Sequence, residues 1–312
     1  MITERIEKIR QNYVHSKPKI SCERALIWTE SHKETEGLPV CIRSARAFYD
    51  CCDRLGVHIF EGELVVGAIG EFRKCGILTP EFSWMWVDRE MDHFATRPQD
   101  PYIMTDEQRA FVRENIFSYW RGKSLEEAFL ARLPEDTRRI GIDTGIIDND
   151  SKWRQAVGEV TPDYEGILFK KGFGGIIRDA QERLSQLDAA DPEDAEKREF
   201  YESVIWTSRG IIRYANRYAD EAEKMAETEG DPKRAEELRV IARISGALGP
   251  VTGAHARDAN PIFIDQESGE EKLLQRAAAF LAEGADGVDL GTIVPPQVSA
   301  ETDLDLLSEH LT

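Results

Sequence analysis

The sequence has no apolar run approaching the roughly 18 residues of a membrane-spanning helix, and no charged-then-apolar leader opens it. A cytoplasmic protein is therefore expected, with neither a signal peptide nor a membrane span. Positive charge is also short, with 40 Lys and Arg against 58 Asp and Glu, a net charge of −18 over 312 residues. The basic residues are not clustered, which argues against a general nucleic-acid binder, because phosphate contacts need massed Lys and Arg. Cysteine is scarce, the five being Cys22, Cys41, Cys51, Cys52 and Cys75. Their odd number and the lack of any C-x-x-C pair point to reduced, packed thiols rather than a disulfide framework or a zinc site. The six histidines are scattered and include no H-E-x-x-H, and no G-x-S-x-G elbow is present.

What remains is a globular composition, 41% hydrophobic and 31% charged, patterned mostly for helices. Ile6, Ile9 and Tyr13 recur at helical spacing in a first helix over about 3–14. Helices follow over about 22–34 and 40–54. In the latter, Cys41 and Cys52 share an apolar helix with Ala45, Phe48 and Tyr49, where a thiol packs as a small hydrophobe. Val57–Phe60 and Leu64–Gly67 read as a hairpin or two short strands, and Pro80 with Phe82, Trp84, Met85 and Trp86 as an extended core segment. Thr105 with Gln108, and Ser124 with Glu127, are capping boxes that start helices. Asp191-Pro192 and Asp231-Pro232 each set a capping side chain before a first-turn proline. They predict a long helix through Tyr218 and a shorter one over 232–244.

The character changes after that. The six tryptophans all lie at or before Trp206, and beyond Ile244 the aromatics are Phe263 and Phe280. A Gly/Pro/Ala-rich linker over 245–260 separates residues 1–244 from a segment at 261–312. There Leu273, Leu274, Ala277, Phe280 and Leu281 make one face of a helix ended by Gly284. Ala285–Gly291 reads as a short strand, and 299–311 as a second helix, giving a β/α segment. The wording AAAFLAEGADGVDLG is similar to the opening of pterin-binding barrels such as dihydropteroate synthase, although a generic β/α unit produces the same pattern. The fold class is thus mainly α with short strands, plus a short C-terminal β/α segment.

Four longer stretches carry a second resemblance: ERALIWTESHKETEG from Glu23, GELVVGAIGEFRKCGILTPEFSWMW at 62–86, HFATRPQDPYIMTDEQRAFVRENIFSYWRGKSL at 93–125 and VTPDYEGILFKKGFGGI at 160–176. In this order and at these separations they resemble the N-terminal helical region of a glycyl radical enzyme of the pyruvate formate-lyase-like family. TESHKETEG and the VTPDY region place the chain nearer the dehydratase, decarboxylase and C–N or C–S lyase branch than pyruvate formate-lyase proper. The resemblance implies anaerobic metabolism and a β/α barrel in which a glycine stores the radical and a cysteine becomes the thiyl that attacks substrate. An S-adenosylmethionine-dependent activase installs the radical, so no cofactor is expected to bind this chain directly. The family's cysteine sits in a Gly-Cys-Val-Glu-like loop and its glycine in an Arg-Val-x-Gly-Tyr loop. Neither pattern occurs in these 312 residues, which have no Gly-Tyr dipeptide and a single Cys-Glu pair, Cys22-Glu23. No catalytic residue is therefore assigned.

The resemblance also locates a substrate-facing stretch just before VTPDY, often ending in Gly-His. Here it reads WRQAVGE, so Glu159 stands where histidine is common, with Trp153 and Arg154 as further wall candidates and Asp148 and Asp150 nearby. A carboxylate there accepts from substrate hydroxyls or pairs with a cationic group. The alternative is a solvated Glu159, or one paired with Arg154. Asp163 is expected to cap the following helix, with Tyr164 packing beneath the pocket. GFGG at 172–175 fits either a phosphate-binding helix start or a tight turn. The expected function is an N-terminal piece of a glycyl radical enzyme, inactive alone. Its partners would be a C-terminal glycyl radical subunit, an activase and a second copy in a homodimer. The alternatives are a non-catalytic binding or assembly protein reusing the helical shell, a fusion with a pterin-binding-type domain, or a join of two reading frames.

Overall fold

The computed structural model describes residues 3–147, 163–188 and 191–247. Its elements run α1 (Glu4–His15), β1 (Lys19–Ser21), α2 (Glu23–Glu34), α3 (Val40–Arg54), β2 (Cys75–Ile77), α4 (Met85–Glu90) and α5 (Asp106–Phe111). A wide π-turn over Val112–Phe117 continues α5 into α6 (Ser118–Trp120), followed by α7 (Leu125–Leu130) and α8 (Glu135–Thr137). After a second π-turn at Arg138–Ile142 and a third at Tyr164–Leu168 come α9 (Phe169–Ser185), α10 (Pro192–Thr228) and α11 (Pro232–Gly246). The architecture is mainly helical, as the periodicity predicts. No described helix is long and apolar enough to cross a membrane. The segment at 261–312, with its expected β/α pattern, lies outside the described residues.

The described residues fall into two compact units that interleave along the chain. One comprises residues 3–15, 57–68, 163–188 and 191–247, the other 16–56 and 69–147. In the second unit β1 and β2 pair in parallel, Ile20 opposite Gly76. A Cβ at Gly76 would stand 2.8 Å from Ile20 and 2.9 Å from the Tyr102 ring, so those side chains would have to shift to admit one. Ile20, Leu78, Met91, Val112, Ile116 and Phe117 form the centre of its core. Trp84 and Trp86 pack against that core, but on the short helix α4 and its start rather than on the extended segment expected. The Trp84 carbonyl accepts from Asp88 N at 3.0 Å, so the chain turns helical right after Ser83. Both capping boxes form as predicted.

In the first unit α10 and α11 fold back on each other around Ala222, Ala226, Leu238, Ile241 and Ala242. Small side chains let the two helices approach closely, and Gly246 lies against Ala219. Asp231 Oδ1 accepts from Lys233 N at 3.0 Å and Pro232 opens α11, the arrangement its sequence announces. The hairpin expected at 57–67 does not form, for no strand is found there. Ile59 and Val66 pack on the α10–α11 core, while Gly62 and Gly67 take positive φ, so the apolar runs are spent on helix packing rather than strand pairing. Arg5 on α1 and Arg234 on α11 converge on Glu237, and Arg234 also donates to Glu63 O at 2.7 Å. Burial works against the Glu237 charge, yet the two guanidiniums hold its pKa below the ordinary value.

Candidate functional site

Glu159, Arg154 and Trp153, together with Asp148 and Asp150, lie outside the described residues. The motif that follows them is partly described. Asp163 caps the next turn as expected, its Oδ1 accepting from Gly166 N at 2.7 Å and its carbonyl from Ile167 and Leu168 N at 3.2 Å. A Cβ at Gly166 would collide with that carboxylate, which explains the glycine. The turn so capped is the π-turn Tyr164–Leu168, a geometry that recurs near functional sites. Nine residues beyond Asp163, Gly172 adopts φ 61° and ψ 175° and breaks α9 into two helices across a kink. Only glycine occupies that region readily. The Lys171 ammonium pairs with Asp179 across the kink, and a Cβ at Gly175 would come within 2.8 Å of Lys171 Cβ. Gly172 is thus the kink itself, and Phe173, Gly174 and Gly175 lie in the helix that continues beyond it.

All five cysteines are free thiols. Cys22 stands between β1 and α2, and burial, helped by the Glu71 charge, pushes its pKa up to about 11. Cys51 is buried on α3 and pushed up to about 12 by burial. Burial also raises Cys75. Such thiols stay protonated at neutral pH and are poor nucleophiles and metal ligands. Among the described residues no group of three or more His, Cys, Asp and Glu could hold a metal ion.

An aromatic and polar cluster of the second unit, around His32, was not anticipated from sequence. The His32 ring stacks on Trp28 at 5.6 Å and tilts against Trp120 at 5.1 Å, and its Nδ1 lies 3.0 Å from the Trp28 carbonyl. The Trp120 indole donates to Thr29 Oγ1 at 2.9 Å. Arg43 and the Tyr119 hydroxyl both donate to the His32 carbonyl, at 2.9 and 3.0 Å. Burial pushes the His32 pKa down to about 4, and the Arg43 and Arg24 charges push the same way. The imidazole is therefore neutral at physiological pH, a packing group rather than a proton shuttle. The only sequence signal was the i, i+4 spacing of Trp28 and His32. Beside it, Arg24 makes a two-pronged contact with Glu81, at 2.5 and 3.2 Å, while its guanidinium lies over the Trp28 ring. In the first unit an open cleft of about 360 Å³ is lined by Val57, Arg217, Asp220, Glu221 and Lys224. Its two cations and two anions cancel, and no thiol lines it.

The described residues thus form helical units that hold protonated thiols and a packed aromatic core. The class is settled by comparison: the chain belongs to the pyruvate formate lyase-like family, whose model matches residues 2–258. It is 34% identical to the isethionate sulfite-lyase of Oleidesulfovibrio alaskensis over 249 residues, covering 77% of this chain and 30% of that enzyme. It is 31% identical to the (2S)-3-sulfopropanediol dehydratase of Klebsiella oxytoca, over 76% of this chain and 29% of that enzyme. The glycerol-bound structure of the B12-independent glycerol dehydratase from Clostridium butyricum matches with a TM-score of 0.73 and 32% identity, over 80% of this chain and 31% of that one. These relatives are named as lyases and dehydratases, the branch the motifs implied. The chain spans about 30% of the length of the curated relatives it matches.

Proposed function

We propose that this chain is the N-terminal portion of a glycyl radical enzyme of the dehydratase and lyase branch, unable to start the radical reaction by itself. The observation that carries the proposal is the 34% identity to an isethionate sulfite-lyase over 77% of the chain, combined with the absence of a thiyl-cysteine loop and a radical-glycine loop from the 312 residues. The glycyl radical, installed by an S-adenosylmethionine-dependent activase, would be supplied by a C-terminal glycyl radical polypeptide. The complete enzyme would act in the cytoplasm, with a second copy as its dimer partner. This chain would contribute the helical shell and one wall of the pocket. On that wall Glu159 would accept from a substrate hydroxyl, while Arg154 would pair with an anionic group and Trp153 would cover an apolar edge. The substrate class is a small hydroxylated compound with a leaving group on the adjacent carbon. Isethionate and (2S)-3-sulfopropanediol, named for two relatives, are the first compounds to try.

The test is anaerobic incubation of the purified chain with an activase and S-adenosylmethionine, read by electron paramagnetic resonance. The chain alone should give no glycyl radical doublet, and a doublet on this polypeptide would overturn the proposal. Sequencing the coding locus beyond the codon for Ile244 supplies the second arm. A frame encoding a Cys-x-Glu loop and an Arg-Val-x-Gly-Tyr loop, on the same or a neighbouring polypeptide, is expected. Its absence would favour a binding or assembly protein built on the same shell.

A further inference from the structure

We draw no further inference here: the strongest candidate, the Arg5–Glu237–Arg234 cluster between α1 and α11, leaves one buried nitrogen of each guanidinium without an acceptor, but nothing in the structure shows what would reach those atoms.

Discussion

Acid should loosen the second unit through His32, and the size of the effect follows from its surroundings. In the unfolded chain the imidazole titrates near its ordinary value of 6.5, whereas in the fold it titrates at about 4. Between those values the unfolded state binds a proton that the folded state refuses, so stability falls as pH falls. The contribution is complete above pH 6.5 and gone below about 4. At about 1.4 kcal/mol per pH unit the drop from 6.5 amounts to about 3 kcal/mol, a large share of an ordinary domain's stability. The Trp28 carbonyl favours the imidazolium, but burial outweighs it, and the Arg43 and Arg24 charges oppose protonation as well. The assay is urea unfolding followed by tryptophan emission, since Trp28, Trp84, Trp86 and Trp120 all belong to this unit. His32→Gln keeps a donor for the Trp28 carbonyl but does not titrate. Between about pH 7 and pH 4 the wild type should lose about 3 kcal/mol more than the variant. Parallel curves, or a folded-state imidazole resonance titrating near 6.5, would refute the reasoning.

Four further outcomes are expected. Glu81→Leu should cost about 3 kcal/mol in urea midpoint analysis by leaving Arg24 charged and unpaired in a half-buried place. Adding Arg24→Met should recover much of that loss, and a double variant no better than the single one would sink the account. Gly172→Ala should lower stability by about 1–3 kcal/mol, since φ 61° and ψ 175° exclude a Cβ; an unchanged melting temperature would contradict it. Asp163→Ala should cost about 1 kcal/mol through the lost cap on Gly166, read by the same unfolding assay, while Asp163→Asn should retain most of it. Cys51, with its pKa near 12, should resist iodoacetamide at mild alkaline pH in the folded protein and react on unfolding, as peptide mass mapping would show.

The helices were legible because each carries its own local chemistry. Thr105 and Ser124 announce their capping boxes, Asp231-Pro232 announces the start of α11, and the Asp163 cap follows from a carboxylate three residues ahead of Gly166. The misread stretches are those where a tertiary partner decides. Val57–Phe60 and Leu64–Gly67 have strand composition, but Ile59 and Val66 meet the α10–α11 core before they can meet each other. The strand that does form, β2, is only Cys75–Ile77, and its parallel partner β1 lies over fifty residues upstream. No local pattern encodes such a pairing. The aromatic cage around His32 is hidden for the same reason, since Trp120 and Tyr119 reach it from far along the chain. The proposed pocket wall rests on family resemblance, because Glu159, Arg154 and Trp153 form no self-evident constellation.

The resemblance and the chemistry rest on different residues, and that separation decides what must be tested. In the stretch from Glu23 that reads ERALIWTESHKETEG, the buried members are Ala25, Ile27, Thr29, Ser31, His32 and Thr35. Thr29 takes the Trp120 indole and Thr35 bonds back to the Ser31 carbonyl at 2.7 Å. In the stretch that ends SWMW, Ser83 is buried against Glu126, and the Trp84 indole donates to Glu127 at 3.0 Å. Many residues of these stretches thus pack the shell. Packing constraints persist in any protein that keeps the shell, whether or not a radical is ever formed within it. Family membership therefore carries the fold to this chain without carrying the reaction. On the proposed pocket wall, the decisive substitution is the one at Glu159. If a reconstituted enzyme loses turnover with Glu159→Gln while its radical signal is undiminished, Glu159 acts on substrate after activation. If Glu159→Gln turns over like the wild type, the shell is a scaffold and specificity must lie elsewhere.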